Sequence, residues 1–360
     1  MKLSTSLREW DMPLLVAALL LCVVSLVALR SATATLNPAL VSRQAFWIVC
    51  GMLACCLVAA VPYSRWIDVG AFLYVGVMFL LLIVLLTGTM KLGATRWLTI
   101  FGFSLQPSEL AKLSTACWLA RLLANQPTPI PSNRLMLSAC VAGLPAGLIF
   151  LQPDLGSASV LGAMWLATVW AAGLSSKRLA VFSGVSLAMA PLGWAVMKDY
   201  QRTRLAVFLN PHEDPLGAGY TIIQSQIAIG SGQLLGRGWM AGTQNQLNFL
   251  PERHADFLFS VIGEEWGFIG SVAVVLLMGG LVWRALHIGL QNSDPHGRLL
   301  AVGLTAWIGY QATVNMGMVM RMVPVVGVPL PFVSYGGSAM LTSWIAIGLL
   351  QSLRRFGTRF

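Results

Sequence analysis

The sequence predicts an all-α polytopic membrane protein with about ten transmembrane helices, both termini cytoplasmic and one long extracytoplasmic loop between the seventh and eighth helices. Three observations predict it. Hydrophobic residues make up 57% of the chain and charged residues 10%, with a mean hydropathy of +0.74, against roughly 25% charged in an ordinary soluble domain. Apolar runs of about 17 to 25 residues recur, long enough as helices to cross a core of roughly 30 Å. Lysine and arginine, finally, fall unevenly on the two sides of those runs.

The spans are expected near residues 12–30, 45–62, 69–88, 107–124, 136–151, 156–174, 178–197, 257–284, 298–322 and 335–353. The first follows Lys2 and Arg8 and ends in Ser31-Ala32-Thr33-Ala34, which imitates a leader-peptide cleavage site. Glu9 and Asp11, and the length of the apolar run, point instead to a retained helix. The fourth span carries Glu109 and Lys112, and only Gln152, Pro153 and Asp154 separate the fifth from the sixth.

With cytoplasmic termini, the inside segments hold twelve basic residues: Lys2, Arg8, Arg65, Arg121, Arg134, Lys177, Arg178, Arg284, Arg298, Arg354, Arg355 and Arg359. The short outside loops hold five, Arg30, Arg43, Lys91, Arg96 and Arg321. Long loops translocate largely regardless of charge, so 198–256 does not vote, and the asymmetry sends it outside. The formal charge of +10 then reads as topology plus attraction to anionic membrane lipids, with no nucleic acid required.

All six cysteines, Cys22, Cys50, Cys55, Cys56, Cys117 and Cys140, fall inside predicted spans without CxxC spacing, as apolar packing residues do. No soluble domain or motif-level repeat is evident, so residues 1–360 are expected to form a single membrane domain.

Polar residues gather in four places. In 93–112, GATRWLTIFGFSLQPSELAK, Pro107 suits a first helical turn, and Glu109 and Lys112 share a helix face and can pair. Two readings are open for them: a buried ion pair that fixes packing, or a Lys112 that faces a water-filled cavity and an anionic headgroup. In QPDLGS, residues 152–157, Asp154 suits a cap on the following helix. In the long loop, Arg202 and Arg204 suit a pyrophosphate or a headgroup anchor, and 219–235 is amphipathic but too short and polar to cross, so it lies along the interface or dips into a cavity.

The loop ends in NFLPERHADFLFSVIGEEWG, residues 248–267, which runs Asp256 into an apolar helix. A charge at the edge of hydrocarbon is costly unless something uses or pairs it. On a continuous helix Asp256 shares a face with Ser260, Gly263, Glu264 and Gly267, a small and polar stripe that suits a cavity wall, and Arg253 and His254 are candidate charge partners. A first-turn acid satisfied by the helix dipole is the other reading. The fourth cluster, 315–338, reads NMGMVMRMVPVVGVPLPFVSYGGS. Its prolines break the helix at membrane depth, where irregular backbone is tolerated only inside protein or along a cavity, and Ser334 lies on that wall. No nucleophile triad and no GxxxxGKS/T phosphate loop is present.

In their order along the chain, GATRWLTIFGFSLQPSELAK, QPDLGS, NQLNFLPERHADFLFSVIGEEWG and VVGVPLPFVSYGGS resemble the signature blocks of the SEDS family (shape, elongation, division and sporulation), and FLPERHADF and PVVGVPLPFVSYGG resemble its elongation branch. The resemblance implies a ten-span glycosyltransferase of the bacterial inner membrane. Such an enzyme polymerises lipid II into peptidoglycan and works with a class B penicillin-binding protein, a transpeptidase. It also implies that Asp256 matches the family's essential aspartate and that Glu109 and Lys112 match its polar pair in the fourth span; Ala255 stands where the family often has Thr.

The residues suit that chemistry. Transfer from a lipid diphosphate with inversion needs one carboxylate base, since the diphosphate leaves without a proton donor, whereas a glycosidase needs two carboxyl groups. Lys112, Arg202, Arg204 or a divalent cation, Mg or Mn, are the candidates to offset charge on the diphosphate. A flippase for the same lipid-linked precursor is the alternative from another class; a recruiting scaffold is a third, and it leaves Glu109, Lys112 and Glu264 without a use.

Overall fold

The structure is a computed structural model that describes residues 9–34, 37–91, 94–100, 103–188, 199–211, 214–215 and 217–357. Each apolar run forms a helix: α1 Met12–Ala32, α2 Ala39–Ala59 and α3 Tyr63–Thr87 precede three short strands, β1 Thr89–Lys91, β2 Ala94–Ile100 and β3 Phe103–Leu105. Then follow α4 Pro107–Leu123, α5 Ser132–Leu151, α6 Leu155–Ala171 and α7 Ser176–Ala188. The long loop carries α8 Asp199–Leu209, α9 Ala218–Gly232 and α10 Thr243–Gln246, and the chain finishes with α11 Leu258–Leu290, α12 Pro295–Val319 and α13 Gly337–Phe356.

Among the described residues, α1, α2, α3, α5 and α11 are both long and apolar enough to cross a membrane, and α6 is apolar but shorter. Part of the seventh expected span, 189–197, lies outside the described residues. The helices α4, α12 and α13 are more polar because they occupy the interior: nearly every residue of α4 is buried, and Trp307, Trp344 and Lys112 are among the largest side chains fully enclosed. A helix buried in protein on all sides has no lipid to face and can carry polar residues, provided they find partners.

Two features depart from the sequence reading. The stretch after α3 is not plain loop but an antiparallel β1-β2-β3 sheet, in register Thr89↔Trp97 and Leu98↔Leu105. Helix α11 is also not continuous, since Gly267 breaks it with φ 68° and ψ −160°. The segment 233–238 wedges into the break: Phe268 and Ile269 donate to the carbonyls of Gln233 and Leu234, while Arg237 and Gly238 donate to those of Glu264 and Glu265. The backbone groups freed by the break are thus re-satisfied by the loop, as a low-dielectric setting demands. A Cβ at position 267 would strike the backbone of Leu234 and Gly236, so only glycine fits the crossing.

Candidate functional site

A cavity of about 1000 Å³ opens where the long loop, the strands and the proline-rich segment meet. Its lining includes Asp256, His254 and Glu252 from the turn before α11, Arg43 and Trp47 from α2, Arg96 and Trp97 from β2, and Gly327, Pro329 and Tyr335 from the segment between α12 and α13. Asp256 is partly exposed within it. The residue sits in the turn 251–257 rather than on the helix, so the stripe expected from a continuous helix does not form as drawn.

The turn is held by buried groups behind it. Arg253 is 1% exposed and donates from Nε to the carbonyl of Ala32 at 2.7 Å and from Nη1 to that of Asn245. Glu264, expected on the cavity wall, is instead fully buried behind it. Its carboxylate accepts from the backbone of Gln244 (2.9 Å) and Asn245 (3.2 Å), the open N–H groups at the start of α10. Glu265 accepts from Asn245 Nδ2 at 2.9 Å and from Ser31. Arg253 and Glu264 thus brace the turn from behind, through bonds that run mainly to backbone.

Ser334 is also turned inward, its hydroxyl accepting from Leu330 N–H at 2.8 Å to close the proline-rich turn. Glu109 and Lys112 take the packing option: Lys112 Nζ lies 2.7 Å from Glu109 Oε1 and 2.8 Å from Gln311 Oε1, both residues are 1% exposed, and neither lines the cavity. Asp154 caps α6 as expected, accepting from Ser157 N–H at 3.1 Å. Arg202 is partly buried on α8 and is not among the lining residues; the side chain of Arg204 lies outside the described residues. His254 does face the cavity, its ring 5.8 Å from that of Tyr335. Burial holds its imidazole below the ordinary 6.5, with Glu252 opposing and Arg253 reinforcing that shift.

The cations that the structure brings to Asp256's cavity are Arg43 and Arg96, which sequence reading counted only toward topology. Arg43 is exposed in the first turns of α2. Arg96 reaches from β2 to the turn before α6, with Nη1 3.7 Å from Asp154 Oδ1 and Nε 3.3 Å from the carbonyl of Gln152. The signal in the sequence was the company each keeps: both are outside-loop arginines close to a tryptophan, Trp47 and Trp97. Residue 219–235 also finds its place, since α9 packs on α11 with Ser225 Oγ 2.9 Å from Ser260 Oγ, and Thr221 and Ile222 line the cavity.

Among the described residues no three His, Cys, Asp or Glu side chains converge as a metal cage. A single carboxylate such as Asp256 suits Mg or Mn only together with the oxygens of a bound diphosphate.

The FtsW/RodA/SpoVE model, described as cell cycle protein, matches residues 10–359. The chain is 38% identical over 347 residues to the peptidoglycan glycosyltransferase MrdB of Escherichia coli (strain K12), covering 95% of this chain and 93% of that one. A chain from a peptidoglycan synthase complex, solved to explain the structural coordination of polymerization and crosslinking, superposes with a TM-score of 0.85 at 31% identity, over 96% of this chain and 98% of its own. The Thermus thermophilus rod shape determining protein RodA gives a TM-score of 0.73 at 29% identity, over 96% and 97%.

Proposed function

The chain belongs to the FtsW/RodA/SpoVE family, the SEDS family its motifs resemble, and from that premise we propose that Asp256 is the general base of its glycosyl transfer. The protein is a multi-pass peptidoglycan glycosyltransferase of the bacterial inner membrane, similar to MrdB and RodA. Its substrate is lipid II, received at the outer face of the membrane during cell elongation.

The single observation that carries the reading is Asp256, a partly exposed residue, on the wall of a large cavity that also holds two arginines. One in-line displacement accounts for polymerisation. The 4-hydroxyl of an acceptor sugar gives its proton to Asp256 as its oxygen bonds the donor's anomeric carbon. The bond from that carbon to the diphosphate breaks, and its electron pair leaves with the diphosphate. A positioned base is worth typically about 10² to 10⁴ in rate. Arg43, exposed on the wall, offsets the charge that builds on the diphosphate, a task for which Lys112, Arg202, Arg204 or a divalent cation are the candidates from sequence, while Arg96, bonded to the carbonyls of Gln152 and Pro153 and paired with Asp154, adds its positive field from β2. Trp47 and Trp97 offer flat apolar faces for sugar rings, and the cavity is at the upper end of ordinary ligand sites, as two large glycolipids require.

A class B penicillin-binding protein is the partner that fits. The lipid-facing helices offer it faces for contact within the membrane.

The test is polymerisation of lipid II by purified protein. Asp256→Ala folds, binds labelled lipid II and makes no glycan strand, whereas R43A and R96A make strands with weakened donor binding. Normal polymer from the Asp256 variant would end this reading, and headgroup translocation in vesicles without polymer would replace it with a flippase.

A further inference from the structure

The turn that carries Asp256 has no helical ladder of its own, so its backbone must be held from outside. A base works only within about 2.6–3.2 Å of the hydroxyl it serves, so what holds it also sets the rate. Asn315, fully buried near the end of α12, reaches that backbone: its Nδ2 donates at 3.0 Å to the carbonyl of Asp256 and at 2.7 Å to that of Val328. Two carbonyls on one nitrogen use both donors of the amide.

Val328 adjoins Gly327, which adopts φ +68° and turns its bare Cα toward the carboxylate; a Cβ there would lie 3.2 Å from Asp256 Oδ2. One amide thus spans the two sides of the narrow gap in which the carboxylate stands. One helical turn earlier, Gln311 repeats the device by donating to the carbonyl of Pro329 at 2.8 Å. Its Oε1 is fixed in turn by Lys112 and by Trp307 Nε1, each at 2.8 Å.

We propose that Asn315 is a positioning residue for glycosyl transfer: by holding the carbonyls of Asp256 and Val328 on one amide, it sets the gap between the base and the Gly327 backbone into which the acceptor hydroxyl fits. The Glu109–Lys112 pair serves the same wall through Gln311, which gives those buried charges a use without substrate contact. The proposal rests on Asp256 as the base.

Purified N315A and N315D are compared with wild type and D256A for lipid II polymerisation, for equilibrium binding of labelled lipid II and for thermal stability. In N315A, kcat is expected to fall about 10- to 100-fold, the scale of a misplacement near 1 Å, while KM and the binding constant stay within about twofold. N315D keeps the volume but turns an anion on two carbonyl oxygens, so it is expected to lose at least as much. If N315D polymerises at the wild-type kcat, or if the loss in folded N315A lies wholly in binding, the proposal is overturned. Polymer from D256A would instead defeat the reading of the base itself, whatever Asn315 does.

Discussion

At the scale of single residues, the chemistry depends on how closely backbone approaches one carboxylate. Gly327 makes that approach, in a left-handed conformation and with only hydrogen where a side chain would meet Asp256 Oδ2 at 3.2 Å. Gly327→Ala adds a methyl group into that contact and a left-handed penalty of about 1–2 kcal/mol. The carboxylate must rotate or the wall must retreat, and either change spoils a near-attack geometry. We expect kcat to drop by about tenfold or more with little change in lipid II binding. Strand synthesis by a folded G327A protein would measure this, and an unchanged kcat would mean that the gap tolerates widening. Asp256 itself was legible in the sequence because a carboxylate leading into an apolar helix demands a reason. Arg43 and Arg96 were marked only by a nearby tryptophan, a weak signal, since an arginine near an outer membrane edge looks the same whether it meets a lipid headgroup or lines a cavity built by residues far away in sequence.

At the scale of elements, hydropathy located the helices and missed what happens between them. A twenty-residue apolar run has few alternatives, so each of the ten expected spans overlaps a helix, with ends that differ by a few residues among those described. The strands β1 and β3 are three residues each, too short for alternation to register, and their pairing is what makes them strands. The break at Gly267 was hidden for another reason: the freed backbone groups are met by 233–238, thirty or so residues away, and nothing local announces it.

The interior helix α4 shows the same ambiguity energetically. An acid and a base three residues apart can face water or each other, and here they face each other at 2.7 Å, both enclosed. Removing one member of a buried pair typically costs about 3–5 kcal/mol because the other stays charged and unmatched, whereas removing both is far milder. Lys112→Met should therefore lower unfolding stability in detergent by that amount, and adding Glu109→Gln should restore most of it. Equal losses in the single and double variants would show that shape, not charge, is what α4 needs at these positions.

At the scale of the whole molecule, stability and catalysis are anchored at opposite ends of the same helices. Ser31 and Ala32, at the end of α1, touch Glu265 and Arg253 behind the cavity. Asp11 caps the other end, accepting from Leu14 N–H, and α1 has 21 residues, so the two ends stand about 30 Å apart at 1.5 Å per residue. There Asp11 is 2% exposed, takes a bidentate bond from Arg284 at 2.6–3.0 Å, and its backbone N–H donates to Gln351 Oε1 of α13 at 2.8 Å while its carbonyl accepts from Gln351 Nε2 at 3.0 Å. The first, eleventh and last helices are thus tied at one point far from the reacting groups. Sites separated by much more than about 10 Å with no shared partners act additively. Asp11→Ala is expected to lower the melting temperature, since Arg284 loses its carboxylate and α1 loses its cap, at a cost of about 2–4 kcal/mol tempered by the partial exposure of Arg284. The folded fraction should polymerise lipid II with kcat and KM within about twofold of wild type, and D11A combined with K112M should lose the sum of the two stabilities. A collapse of kcat in folded D11A would instead mean that the tie at this end controls the cavity at the other, and the separation of the two roles would fail.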